Sequence, residues 1–231
     1  DGRTVLQFSS NNYLGLAFHP SVIDAAKAAL DKFGAGSAAS PLISGHLAVH
    51  AALEDALARS KGAEAALVYA AGSLANLGCL SALAGPEDQI FLDKRVHATL
   101  YDGARLSGAA IARFPHQDMG RLDDLLRTSR AAGSHRLLIV VDAVYSMDGD
   151  IAPLPQLLEL AERHQAVLVV DEAHSSGVLG AQGHGILEHF GMTRCPQALV
   201  LTGTLSKALG SQGGYVAGTR SMVDWMVNKS R

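Results

Sequence analysis

Cysteine is scarce in this chain. Only Cys79 and Cys195 occur among the 231 residues, and they have no metal-ligand spacing. That excludes a disulfide framework and makes a reducing cytoplasm the expected compartment. A basic excess is also missing: the formal net charge of -3 leaves no electrostatic footprint for a nucleic-acid partner. No apolar run is long enough to span a bilayer, and the start has no charged-then-apolar signal pattern, so no membrane partner is expected. Internal repeats, low-complexity tracts and linkers are absent too. Position 1 lacks an initiator methionine, and 1-DGRTVLQFSSNNYLGL begins close to a strand-like pattern, as a segment of a longer protein would. What the chain does have is 48% hydrophobic residues against 18% charged, enough for one large core.

Short apolar or β-branched runs alternate with longer helical patterns. The strand candidates are 65-AALVYA, 89-QIFL, 110-AIARF, 137-LLIVVD, 166-AVLVVD, 198-ALVLT and 214-GYVA. Helix-like stretches lie between them, such as 46-HLAVHAALEDALARS, 119-MGRLDDLLRTSRAA and 155-PQLLELAERH, the last with Pro153 and Pro155 at its start. Near-continuous apolar strands alternating with helices predict an α/β fold: a seven-stranded, mostly parallel sheet covered on both faces. The connection into 214-GYVA is too short for a helical crossover, which predicts that this one strand runs antiparallel. In such sheets ligands sit beyond the carboxyl ends of the strands.

Four strand ends carry unusual chemistry. In 67-LVYAAGSLANLG a strand passes through Gly72 and Ser73 into an apolar helix, a turn that suits either structure alone or a phosphate. In 139-IVVDAVYSMDGDIAPL, Ser146, Asp148 and Asp150 follow the strand; two aspartates without a matching His or Glu make a poor metal site, and an Asp-Gly-Asp turn explains them equally well. The letters Asp-Glu-Ala-His at 171 suggest a helicase, but that reading needs an upstream phosphate loop, and none is present. Asp171 then remains as a carboxylate ending a buried strand, with His174 three residues on. It needs a charged or hydrogen-bonded partner, either a structural ion pair or a protonated heterocycle. The fourth end, 200-VLTGTLSKALGSQGGYVAG, holds Lys207 between Ser206 and Ala208, so it too is no phosphate loop.

One cofactor would use the whole set. Pyridoxal phosphate (PLP) has a phosphate for the Gly72-Ser73 turn, a ring nitrogen for Asp171, a phenolic oxygen for Ser146 and His174, and an aldehyde for the amine of Lys207. A largely desolvated lysine beside a cationic ring has a reason to lose its proton and form a Schiff base. Thr204 and Ser206 would donate hydroxyls to the phosphate. A Schiff-base aldolase on a barrel would also place a lysine at a strand end but has no use for Asp171 with Gly72-Ser73, and a binding or scaffold protein needs none of them.

The segments 9-SSNNYLGL, 44-SGH with His50, 71-AGSLAN, 93-DKRVHATLYDGARLS, 143-AVYSMDGDIAPL, 171-DEAHSSGVLGAQGHG and 203-GTLSKALGSQGGY, in that order, resemble the α-oxoamine synthase family of PLP enzymes. The resemblance implies a fold-type I transferase, with 1–231 as its PLP-binding large domain, that condenses an amino acid with an acyl-CoA or acyl-carrier-protein thioester and releases carbon dioxide. It implies a homodimer with the cofactor at the subunit interface and 13-YLGLAFHP packed close by. By position, Lys207 would bind the aldehyde and move the α-proton, Asp171 would keep the ring nitrogen protonated, and His97 would stack on the ring. Ser146 and His174 would meet the ring oxygen, Gly72, Ser73 and Thr204 would seat the phosphate, and Asn11 would lie near the amino acid's carboxylate.

The chain departs from the family in three ways. Ser73 stands where an aromatic is frequent, and Ala39-Ser40-Pro41 stands where many members have Gly-Ser-Arg. The family also continues past the position of Arg231 into a smaller C-terminal domain carrying the arginine that grips the substrate carboxylate. Other PLP classes, decarboxylases and cysteine desulfurases among them, often place His directly before the lysine, where this chain has Ser206. Gly213-Gly214-Tyr215 and 186-ILEHFG fit one branch of the family, but nothing in them touches the acyl chain by any derivable contact.

Overall fold

A computed structural model describes residues 2–230. Its sheet has seven strands: β1 (Ala65–Tyr69), β2 (Gln89–Asp93), β3 (Ala110–Phe114), β4 (Leu137–Asp142), β5 (Val167–Asp171), β6 (Leu199–Thr204) and β7 (Gly214–Gly218). These coincide, within a residue or two, with the seven runs read from the sequence. Their spatial order is β1-β7-β6-β5-β4-β2-β3. Only β7 is antiparallel to its neighbours β1 and β6; the pairs β6-β5, β5-β4, β4-β2 and β2-β3 are parallel. A nine-residue connection from Thr204 to Gly214 cannot carry a crossover helix, so the chain turns back on itself as expected.

Helices cover both faces. They are α1 (Pro20–Phe33), α2 (Ala48–Ser60), α3 (Gly72–Leu83), α4 (Ala98–Ser107), α5 (Met119–Ala131), α6 (Leu154–Arg163), α7 (Ile186–His189) and α8 (Arg220–Lys229). Alternate residues of β4 divide between two apolar cores. Ile139 and Val141 pack with Leu122 and Leu126 of α5 and Leu157 of α6, while Leu138 and Val140 pack with Leu80 of α3 and Leu100 of α4. Burial on both faces is why 137-LLIVVD has no polar alternation. Pro155 falls in the first turn of α6, where its missing N–H has no helical partner to lose. Among the described residues no helix is long and apolar enough to cross a membrane.

Parallel register aligns the strand ends. Asp142 of β4 stands beside Asp171 of β5, and Asp171 beside Thr202 of β6. One edge of the sheet therefore gathers two carboxylates side by side, and the turns after β1 and β6 flank them.

Candidate active site

A cavity of about 230 Å³ opens at this edge, with Gly72, His97, Asp171, His174, Thr204 and Lys207 in its wall. Ser73 lines it as well. Seven of the nine sequence-predicted site residues thus meet in one place, drawn from the ends of β1, β5 and β6 and from the start of α4.

Lys207 stands in the turn after β6, half-buried, with Nζ 2.7 Å from His174 Nε2. Burial lowers its pKa, and the nearby charges of Asp171 and Asp142 only partly offset this. His174 is pushed down to about 4 by burial first and then by the positive charges of Lys207 and His97. The imidazole is therefore neutral, and its lone pair at Nε2 accepts from the lysine. Nδ1 then carries the hydrogen and donates to Tyr13 Oη at 2.6 Å. Tyr13 in turn donates to Asn11 Oδ1 at 3.2 Å. Asn11 does not line the cavity; it reaches it only through Tyr13.

Asp171 ends β5 buried in the cavity wall. Burial pushes its carboxyl up, and two hydrogen bonds pull it back: Asn76 Nδ2 donates to Oδ2 at 2.7 Å and the Ala173 N–H to Oδ1 at 2.9 Å. Asn76 is a residue the sequence reading did not single out. It is the buried polar position in the first turns of an apolar helix, four residues after Gly72, and that isolation is the signal that marks it.

Asp142 is the second missed group. It lies 4% exposed in the cavity wall, and its one hydrogen bond comes from the backbone N–H of His97 at 3.3 Å. Burial first, then the charge of Asp171, push it from 3.8 to about 8. The sign of the linkage follows. A carboxyl held protonated in the fold but free to ionise when unfolded contributes stability that is complete below about pH 4 and lost as pH rises through 8. Asp142→Asn removes that dependence. Thermal unfolding of the cofactor-free protein should show D142N more stable than the wild type at pH 8, with the gap narrowing at pH 5; an equal gap at both would refute it.

Another part of the cavity wall suits an anion. Ala71, the N-cap of α3, has no side chain to cap the first turn, so the leading N–H groups of this 12-residue helix face the cavity. Gly72 is required there, because a Cβ would come 2.8 Å from Thr204 Cβ. Thr204 Oγ1 and Ser206 Oγ, 2.8 Å apart, add two hydroxyls to the same wall.

Ser146, expected to meet a ring oxygen, is exposed and does not line the cavity. Val144 and Ile151 form an isolated antiparallel bridge, and the turn between them is closed by Gly149 N–H to Tyr145 O at 2.8 Å. Tyr145 is buried, edge-on to His116, so the next side chain, Ser146, points into solvent. Val144 and Asp142 occupy the wall instead.

The Asp-Glu pair that suggested a helicase divides its work. Glu172, beside Asp171, faces away from the cavity into a buried cluster: Lys61 Nζ lies 2.7 Å from Glu172 Oε2 and donates to Ser176 Oγ and to the His184 carbonyl. Burial opposes the Lys61 charge, but Tyr215 and Glu172 outweigh it and raise its pKa. Lys61 is thereby locked as a structural cation.

A donor set of this kind, with hydroxyls, free helix amides, a buried carboxylate and a lowered-pKa amine around one cavity, fits a phosphorylated pyridine aldehyde. The doubly covered sheet with one reversed strand is the architecture of fold-type I transferases. Residues 3–231 match the aminotransferase class I and II family, and the chain belongs to it, in the α-oxoamine synthase group. It is 49% identical over 231 residues to the 8-amino-7-oxononanoate synthase of Methylococcus capsulatus, covering 100% of this chain and 59% of that one. A serine palmitoyltransferase from S. paucimobilis, solved with a bound PLP–myriocin aldimine, superposes with a TM-score of 0.87 at 38% identity over 96% of this chain and 55% of its own. The 8-amino-7-oxononanoate synthase of Francisella tularensis gives 0.82 at 29% identity, over 97% and 61%. The chain therefore spans under two thirds of the length of each.

Proposed function

We propose that this chain is the PLP-holding large domain of an α-oxoamine synthase that joins L-alanine to a pimeloyl thioester, of CoA or acyl carrier protein, with loss of carbon dioxide: an 8-amino-7-oxononanoate synthase of biotin synthesis. The observation that carries the reading is the placement of the Lys207 amine, the Asp171 carboxylate and an uncapped helix N-terminus around one cavity. Identity near 50% to enzymes of that name supports the choice of product.

When bound, PLP supplies an aldehyde that bonds amines and a ring that withdraws electrons from the substrate's α-carbon. The residues of this chain do the rest. The first-turn amides of Gly72 and Ser73, with the hydroxyls of Thr204 and Ser206, hold the phosphate. Asp171, whose two oxygens accept from Asn76 and the Ala173 N–H, would hold a proton on the ring nitrogen. His97 would cover the ring face; its Nδ1 lies 2.8 Å from Thr99 Oγ1, which orients the imidazole. Lys207 Nζ, its pKa lowered by burial, takes and returns the proton at the α-carbon. Neutral His174 holds that amine through Nε2 and, through Tyr13, ties the site to the Asn11 segment where the substrate carboxylate would approach.

Full-length protein given L-alanine and pimeloyl-CoA should release carbon dioxide and CoA together. Serine with palmitoyl-CoA is the competing pair, since a serine palmitoyltransferase superposes so well. Faster turnover of the serine pair would move the assignment to that branch, and no turnover with any amino acid and acyl thioester would end it.

The reading includes a homodimer. Helix α1 has no buried residue, and the N-terminal stretch leaves Phe8 92%, Phe18 82% and Ile43 83% exposed. Apolar surface on that scale calls for a partner, and the stretch adjoins the site through Tyr13. Sedimentation of the full-length protein should give a dimer; a fully active monomer would refute it.

A further inference from the structure

We propose that Asn76 is a positioning residue: it holds Asp171 and His97 in register with each other and directs the negative charge of the adjacent Asp142–Asp171 pair onto Asp171. The proposal rests on the reading of this cavity as a PLP site.

Every polar atom of the Asn76 side chain is used, in one orientation only. Thr202 Oγ1 donates to Oδ1 at 2.6 Å, which leaves Nδ2 to donate twice, to Asp171 Oδ2 at 2.7 Å and to Thr99 Oγ1 at 3.0 Å. The Thr99 hydroxyl lies in turn 2.8 Å from His97 Nδ1. A single buried amide on α3 thereby reaches the end of β5, the end of β6 and the first turn of α4. It links the residue meant for the ring's edge to the residue meant for its face.

Charge is the second part. Asp142 and Asp171 are paired across β4 and β5 in parallel register, both buried, and the fold tolerates one negative charge there far better than two. The two carboxyls are not equivalent. Asp171 accepts hydrogen bonds from Asn76 and from Ala173, whereas Asp142 has only the longer contact from the His97 N–H. Hydrogen bonds to a carboxylate favour its ionised form, so the charge settles on Asp171 and the proton on Asp142. The other ionisable groups bearing on the pair agree: Lys207 and His97 act on Asp171, Lys207 and Asp93 on Asp142, and the Cys79 thiol, raised by burial and then by Asp171, stays neutral. Without the Asn76 amide, Asp142 competes for the charge at a position one strand away from where the ring nitrogen needs it.

The test uses the full-length protein and PLP labelled with ¹⁵N in its ring. Asn76→Ala should weaken PLP binding about tenfold or more, as the loss of a hydrogen bond to a charged group implies. It should also move the ring ¹⁵N signal from the pyridinium towards the neutral position. Adding Asp142→Asn to Asn76→Ala should return the signal to the pyridinium position, because one carboxylate then remains to hold the charge. A merely structural role predicts weaker binding with an unmoved signal and no rescue, and either of those results overturns the proposal. Should Asn76→Ala fail to fold, Asp142→Asn alone decides: a pyridinium signal supports the assignment and a neutral ring overturns it. Carboxyl ¹³C shifts of the PLP-free protein at pH 7 separate this from the cofactor reading. If PLP does not bind the wild type, the cofactor reading fails; protonated Asp142 beside ionised Asp171 would still uphold the charge assignment, and the reverse would overturn it.

Discussion

Replacing Lys207 with alanine should leave a folded protein whose turnover falls by at least about 10²–10⁴-fold, the contribution of a positioned general base alone. Folding should survive because the side chain is only half-buried and its one hydrogen-bond partner is His174. The phosphate and ring contacts lie on other residues, so PLP should still bind. Borohydride followed by peptide mapping checks the assignment in the wild type: the pyridoxyl tag must fall on Lys207. Lys61 is the instructive control, since its amine is already held by Glu172, Ser176 and the His184 carbonyl. A tag there, on Lys94 or on Lys229 would overturn the assignment. The same variant has a second readout. Burial, Lys207 and His97 hold His174 at about 4, so removing the lysine charge should raise the histidine's titration midpoint, visible by NMR in the PLP-free protein.

Asp171→Asn should behave differently. It keeps shape and an acceptor for the Ala173 N–H while removing the charge and the acceptor for Asn76 Nδ2. Borohydride should still fix the cofactor on Lys207, but exchange of the bound amino acid's α-proton should drop by about 10²-fold or more, the scale seen when one preorganised electrostatic contact is lost. Lys207 also loses a charge that supports its protonated form, so its pKa should fall further and its free-amine fraction grow. Slower exchange despite more free base would separate the role of Asp171 from that of the lysine. Unchanged exchange would leave Asp171 as a structural carboxylate.

The central strands β4, β5 and β6 were legible because they are buried on both faces, where apolar and β-branched residues prevail; 137-LLIVVD needs no context to be read. Lys207, Asp171 and the Gly72-Ser73 turn were legible for the same reason, as polar residues interrupting apolar runs at strand ends. Asn76 and Asp142 were not. Asn76 lies inside a helix, and its importance depends on Thr202 and Asp171, 126 and 95 residues away in sequence. Asp142 has the appearance of any polar strand end until the register sets it beside Asp171. Ser146 was legible only as part of the family's segment; a local bridge and the inward turn of Tyr145 leave its side chain exposed and outside the cavity wall.

The reversed strand β7 has a consequence for how this site can change. It lies between β1 and β6, and its first residue, Gly214, pairs with Tyr69 at the end of β1 and Thr204 at the end of β6. The turn after β1 crosses that start so closely that a Cβ on Gly214 would lie 2.4 Å from the Ala71 carbonyl oxygen. Bare backbone on bare backbone leaves nothing there to adjust by substitution. Change on this side of the cavity is therefore confined to positions beside that crossing, such as Ser73, which lines the cavity with an exposed side chain.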